Sequence, residues 1–438
     1  MTAVISSFAR ARRAFAVDMP LKVGVLGAGA VGAYVGGMIK LRTSADVVLV
    51  GRRNLVDQVT AGGMVLRPNP RKPRDVFAVH PTSLTVTDDV KALKGCDVIF
   101  VAVKTTATAE AASELERIAE KGGFPPHALV LSLQNGVGNG AILTKALEKH
   151  SVATLPCMVN FNVVWDSYGN LDSANGCVIR RCTPSKKGMP CLVVQDLPKK
   201  AAKDGTGMMD HPSVFSAKKA NLAALIDAVA ATGLVVKTEL DISPTLFSKI
   251  LVNLQSPINA LSGAPVPVTL SKRKYRMAWR ALLLEALDVY RACGIKTRKP
   301  FVSFLPLILA SPDWLYNAAA PVLFPLDPKC KSSMLQDCES GRKTEIDAIC
   351  GEVVRLARRN ANRARDEDAS GETWGMYGYG GALGRVLAIL GLRSAGRSAG
   401  RSARLNARAV ELVRRLEFNG LPDGRMAPDE LWEALTNA

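Results

Sequence analysis

The glycines of Gly27-x-Gly29-x-x-Gly32 stand directly after an apolar run, Lys22-Val23-Gly24-Val25-Leu26, and directly before a helical one, Ala33 to Leu41. Each glycine has a task in holding a dinucleotide. Gly27 permits a tight turn, Gly29 lets a pyrophosphate approach the backbone, and Gly32 lets helix and strand pack closely. The free N–H groups at the helix start face the anion. With Ala28, Ala30 and Val31 between and beside the glycines, the segment reads as a dinucleotide-binding loop. The alternative is a glycine-rich turn with no ligand. The second strand, Asp46 to Val50, then bears on the cofactor's phosphate. Enzymes that use NAD end this strand with Asp or Glu, which accepts from the ribose hydroxyls. Here Arg52 follows instead, beside Arg53. A guanidinium fork in place of an acid suits the 2′-phosphate of NADP, so NADPH is the expected cofactor. A solvent-facing arginine pair is the alternative.

The elements that must position this loop are legible over the first half. Cys96 to Val103 and Leu129 to Leu133 are apolar strands, and Thr105 to Ala119 is a helix with one alanine and leucine face. Apolar strands alternating with helices predict a parallel, doubly wound sheet covered on both faces. Val152 to Val164 and Gly176 to Arg181 read as further strands, Asn221 to Thr232 as a helix, and Leu234 to Val236 as a last strand. Residues 185–219, rich in Lys, Gly and Pro, read as a basic loop insertion. From Ile242 strand signals stop. Thr245 to Gln255, Met277 to Cys293 and Thr344 to Ala361 read as helices. The fold class is therefore α/β: a Rossmann-type dinucleotide-binding domain over 21–240 and an all-helical domain over 241–438. Within the latter, 362–404 repeats Arg-Ser-Ala-Gly and reads as a low-complexity, mostly disordered insertion.

Composition narrows the function classes. The chain has 438 residues, 48% of them apolar, which allows full cores. A net charge of +18 raises nucleic acid as a partner. Aromatics are only 5% and do not interleave with the basic residues, so no nucleic acid partner is expected. Both insertions are basic and carry much of the charge. Nine scattered cysteines and four isolated histidines fit a reducing compartment, with no metal site and no disulfide framework. The most apolar stretch, Phe301 to Leu326, is broken by four prolines and reads as buried helices rather than a membrane span. Residues 1–20 form an Arg-containing extension. A cytoplasmic location is expected, with a mitochondrial one as the alternative that the Arg-rich start suggests.

Further blocks carry a family resemblance. Gly27 to Gly32, Val103-Lys104-Thr105 and Leu133-Gln134-Asn135-Gly136-Val137-Gly138 resemble the dinucleotide domain of ketopantoate reductases (2-dehydropantoate 2-reductases). In the helical half, Phe247-Ser248-Lys249-Ile250-Leu251-Val252-Asn253, Asn259 to Gly263, Ser332 to Asp337 and Gly341 to Asp347 are similar to the same family. The resemblance covers about Leu21 to Asn360, resumes at Asn406 to Glu417, and skips both insertions.

The resemblance implies roles. Lys249 matches the general acid, Glu345 a residue that holds substrate and lysine, and Asn253 and Ser333 substrate-binding residues. Asn135 matches a residue near the nicotinamide, and Lys104 one that contacts cofactor or substrate. The residue types agree with that chemistry. Lys249 and Asn253 are four apart and share a helix face. Reduction of a 2-keto acid needs a proton donor at the carbonyl oxygen and groups that orient the anion. Singly, each residue also reads as an ordinary surface or capping group. One position departs from the family: Pro257 stands where a second asparagine is usual, and Asn259 is the expected substitute. The implied activity is NADPH-dependent reduction of 2-dehydropantoate to pantoate, in pantothenate and coenzyme A biosynthesis. The alternatives are a reductase of another 2-keto acid and a non-catalytic NADP-binding sensor or scaffold. The expected partner is a small-molecule 2-keto acid, with no nucleic acid and no membrane; a homodimer is one open state of assembly.

Overall fold

The structure is a computed structural model that describes residues 20–70, 72, 74–165, 177–183, 190–198, 212–298, 301–323, 326–370, 402–420 and 425–437. Residues 1–19 of the extension and 371–401 of the low-complexity segment lie outside them. The chain divides into two compact units, Met1–Gln134 with Gly138–Ile242, and Asn135–Val137 with Ser243–Ala438.

The first unit is built on β1 (Lys22–Leu26), β2 (Asp46–Val50), β5 (Thr85–Thr87), β6 (Val98–Val101), β7 (Leu129–Ser132), β8 (Ala153–Val159), β11 (Leu192–Gln195) and β12 (Val236–Glu239). They form one sheet in the order β12-β11-β8-β7-β6-β1-β2-β5. Period-two alternation sorts the strand side chains onto two cores. Val23, Val25, Val47, Leu49, Val98 and Phe100 pack in one. Leu26, Val48, Val50, Ile99 and Val101 pack in the other. Helices cover both faces. Helix α1 (Ala30–Arg42) and α5 (Pro212–Ala231) lie in the first core, α3 (Thr108–Glu120) and α4 (Asn139–Leu147) in the second. Helix α2 (Arg53–Gly62) follows β2.

Three features differ from the sequence reading. The sheet is mixed, since β11 runs antiparallel to β8 and carries β12 parallel to itself. A second sheet, of β3 (Met64–Arg67), β4 (Phe77–Val79), β9 (Val163–Trp165) and β10 (Cys177–Arg181), has the order β4-β3-β10-β9. It packs on the outer side of α1, which is why Gly32 through Ile39 are all buried. The supposed loop insertion 185–219 contains β11, whose Leu192, Val193 and Val194 are buried, and the first turns of α5. Leu192, Val193 and Val194 form a strand because two partners are already in place to pair with it.

The second unit is helical, with no strand among its described residues. Its helices are α6 (Ser243–Asn253), α7 (Gln255–Ser262), α8 (Val266–Ser271), α9 (Arg273–Ala292), α10 (Phe301–Ala310), α11 (Asp313–Leu323), α12 (Ser333–Glu339), α13 (Ile346–Ser370), α14 (Arg404–Asn419) and α15 (Pro428–Thr436). The central α9 lays Ala278, Trp279, Leu282, Leu283, Ala286 and Val289 into one core. Helix α13 continues through the first residues of the supposed insertion. Helices α10 and α11 are only half-buried, with Phe304 and Trp314 exposed. Among the described residues no helix is long and apolar enough to cross a membrane.

Candidate active site

Three of the expected cofactor contacts open from one edge of the large sheet. Strands β1, β2 and β6 are parallel, with Leu26 opposite both Val50 and Val101. The chain therefore leaves all three at the same end, at the strand where the sheet order reverses, the usual place for a ligand in such sheets. Gly27 and Ala28 both donate backbone N–H to Val50 O, at 2.9 and 2.8 Å. Gly27 has φ +90°, and a Cβ there would lie 2.5 Å from Val103 N. At Gly32 a Cβ would lie 2.6 Å from Gly27 O. At Gly29 it would meet nothing within 4 Å. The outer glycines are thus demanded by packing, whereas Gly29 leaves open space over the start of α1. Ala30 and Val31 begin that helix, which has neither a side-chain cap nor an acid in its first turn. Its leading donors suit an anion, and the loop fits a dinucleotide pyrophosphate.

The two arginines after β2 differ. Arg53 is tied to Asp57 at 3.0 Å and to Asp88 at 3.7 Å. Arg52 is exposed at the N-cap position of α2, and among the described residues no hydrogen bond or ion pair reaches its guanidinium. Lys104 is half-buried just after β6, at the start of a 3-10 turn, Thr105–Ala107.

The second group lies in the helical unit. Lys249 and Asn253 are one turn apart on α6, Asn253 being its last residue. Lys249 is half-buried, and nothing among the described residues pairs with its ammonium. Burial alone lowers its pKa from 10.5 to about 8. Glu345 is buried immediately before α13. Its Oε2 accepts from Asn135 Nδ2 at 2.9 Å, and Asn135 Oδ1 accepts from Asn253 Nδ2 at 3.3 Å. Asn253, Asn135 and Glu345 therefore form one directed chain. The sequence reading had Glu345 holding the lysine; its partner in the structure is Asn135, and no bond joins Glu345 to Lys249.

The other two residues belong to α7 and α12. Ser333 is exposed at the first position of α12, whose cap is Ser332, accepting from Leu335 N at 3.1 Å. Asn259 is wholly buried on α7. Its amide donates to Ala264 O at 2.6 Å and Thr269 Oγ1 at 3.1 Å and accepts from Ser332 N at 3.0 Å. With both donors spent inside the protein, Asn259 joins α7 to the start of α12. The structure also gathers Glu116, Glu120 and His150, whose ligand atoms lie within 4.8 Å of one another. Glu116 and Glu120 are one turn apart on α3, but His150 reaches them from the turn after α4, and sequence spacing gave no sign of that third member.

The sequence matches the family described as "Ketopantoate reductase PanE/ApbA" over residues 23–175 and its C-terminal part over residues 241–364. The chain belongs to the ketopantoate reductase family. A 2-dehydropantoate 2-reductase of Mesorhizobium japonicum is 24% identical over 350 residues, which cover 77% of this chain and 92% of that one. One of Halobacterium salinarum is 25% identical over 358 residues, with coverage of 80% and 93%. Among solved structures, a PanE/ApbA family ketopantoate reductase from Ralstonia eutropha aligns with a TM-score of 0.58 at 23% identity, covering 91% of this chain and 99% of that one. A D-mandelate dehydrogenase with NADH and anilino(oxo)acetate aligns with a TM-score of 0.54 at 18% identity, covering 77% and 92%. Both share the fold, a Rossmann-type domain joined to helices.

Proposed function

We propose that this chain reduces 2-dehydropantoate to pantoate with NADPH, as a step toward pantothenate and coenzyme A. The observation that carries the reading is Lys249. It is a half-buried ammonium with no partner among the described residues and a pKa near 8, one helical turn from Asn253. The names of the relatives support the substrate.

The dinucleotide, when bound, supplies the hydride. The Gly27 loop and the uncapped start of α1 would hold its pyrophosphate, and Arg52 would take the 2′-phosphate. As the hydride reaches the keto carbon, the carbonyl π bond breaks and charge builds on its oxygen. Lys249 Nζ donates a proton to that oxygen, giving the alcohol and a neutral amine that regains its proton from solvent. A pKa near 8 keeps most of the lysine charged at neutral pH while making it a better acid than an exposed lysine. Asn253 and Asn135 orient the substrate's oxygens, and Glu345 fixes which way the Asn135 amide points. Ser333 offers a hydroxyl to the polar tail.

One observation favours a second reading. The amide of Asn259, expected to bind the distal hydroxyl, is spent within the protein. A branched 2-keto acid with an apolar tail would need no such contact. The test is NADPH oxidation with 2-dehydropantoate and a panel of branched 2-keto acids, repeated with NADH. The highest kcat/KM should fall on 2-dehydropantoate with NADPH. A higher value for another keto acid selects the second reading, and no turnover with any of them leaves a binding protein rather than an enzyme.

A further inference from the structure

A buried hydrogen-bond cluster brackets the loop that carries Asn135. Strand β7 ends at Ser132, whose Oγ donates to Gln134 Oε1 at 3.0 Å. Gln134 Nε2 donates to Thr108 Oγ1 at 2.7 Å. The Thr108 hydroxyl faces Asn139 Oδ1 at 2.7 Å, with Thr105 O as a second acceptor at 3.0 Å. Thr108 is wholly buried, and Ser132, Gln134 and Asn139 are buried beside it. All four belong to the first unit. Between Gln134 and Gly138 the chain gives three residues, Asn135–Val137, to the helical unit. There Asn135 meets Glu345 and Asn253, and Val137 packs on the helical core. Gly136, with φ +86°, makes the turn.

We propose that Thr108 is a positioning residue for the reduction, its one hydroxyl tying together both ends of the loop that carries Asn135. The inference rests on the reading of Lys249, Asn253 and Asn135 given above. A short loop with a glycine at its centre has many arrangements if either end is loose. Thr108 accepts from the residue just before the loop and donates to the first residue of α4 just after it. One buried side chain therefore fixes both ends and, through the backbone, the Asn135 amide. Displacement of a site group by about 1 Å costs on the order of 10²-fold in rate. No sequence signal marks Thr108 for this task, because Gln134 and Asn139 come to it from a different strand–helix unit.

The variants are Thr108→Val, which keeps the shape and removes the hydroxyl, and Thr108→Ser, which keeps the hydroxyl and removes a methyl. The full chain is assayed for kcat and KM with 2-dehydropantoate, for NADPH Kd, for Tm, and for amide exchange over 135–138. Thr108→Val should lower kcat by roughly 10- to 100-fold, leave NADPH Kd within about twofold, and speed exchange over 135–138. Thr108→Ser should restore kcat to within about threefold of the parent, even with a lower Tm. Should Thr108→Val not fold, Asn139→Ala removes the second anchor and should show the same fall in kcat. Equal kcat in parent and Thr108→Val, or an equal fall in the Val and Ser variants, overturns the proposal. If the parent turns over no keto acid, the proposed activity fails separately. Exchange then decides the anchor, and unchanged exchange in Thr108→Val refutes it.

Discussion

Asn135 and Glu345, 210 positions apart in the chain, are joined by an N–H···O bond of 2.9 Å. The buried carboxylate is an acceptor only, so it forces the Asn135 amide to turn its nitrogen inward and its oxygen toward Asn253. The polarity of the whole Asn253–Asn135–Glu345 chain follows from that one charge. Asn135→Asp keeps the shape but sets a second carboxylate against Glu345. Like charges in one buried site cannot both ionise without cost. The variant should lose at least about tenfold in kcat at pH 8, in the lower part of the range for a group acting on the transition state. A kcat equal to the parent's would show the contact to be idle.

Lys249 has two expected consequences with different signs. As proton donor it must be charged, so kcat for reduction should fall as pH rises through about 8. Lys249→Ala should lower kcat by about 10²- to 10⁴-fold and leave NADPH Kd unchanged. For stability the argument reverses. The folded-state pKa is lowered, so between about 8 and 10.5 the unfolded chain holds a proton that the folded chain does not. Stability contributed by this group therefore rises with pH across that window, and the full cost of the buried charge is borne below it. Lys249→Met should raise Tm by a few degrees at pH 7 and by less at pH 10, read by thermal melts at both pH values. A lower Tm at pH 7 would mean that the ammonium is stabilised rather than strained.

Arg52 and Arg53 make an internal control. Arg53 is engaged by Asp57 and Asp88. Arg52→Ala should therefore weaken NADPH by roughly 10- to 100-fold with little change for NADH, the size of a charge-assisted contact. Arg53→Ala should change the NADPH to NADH ratio by no more than about twofold. Titrations of both cofactors against both variants check this, and an unchanged ratio in Arg52→Ala removes the arginine from the 2′-phosphate.

Gly29 and Gly32 should separate binding from folding. A Cβ at Gly29 meets no protein atom within 4 Å. Gly29→Ala should melt like the parent yet bind NADPH at least about tenfold more weakly, because the methyl fills the pyrophosphate's space. At Gly32 the added Cβ would press on Gly27 O at 2.6 Å and Val25 Cγ1 at 2.8 Å. Gly32→Ala should cost about 1–3 kcal/mol of stability by overpacking. Melts and cofactor titrations of the pair give the answer, and equal loss of Tm in both would deny Gly29 its open space.

The sequence by itself determined what is local. Apolar runs set β1, β2 and β7 nearly to the residue and marked β6 two residues too long at each end, and glycine spacing marked the loop between β1 and α1. The end of strand signals marked the helical half, since 3.6- and 2-residue periods are properties of short windows. Family spacing named Lys249, Asn253 and Glu345 but could not show which would touch. The tertiary structure decided what depends on neighbours distant in the chain. It turned Leu192–Gln195 from a basic loop into a core strand by supplying β8 and β12 as partners. It raised a second sheet against α1 by pairing β10, a strand already visible in the sequence, with β3 and β9 and adding β4 beside β3. It gave Glu345 to Asn135 instead of Lys249, and left that lysine without a counter-ion among the described residues, so that burial alone sets its pKa. It spent the amide of Asn259 on Ala264, Thr269 and Ser332. Hydrogen bonds and desolvation fall off within a few ångströms, so they depend on which residues the fold brings together, and separation along the chain carries no information about that.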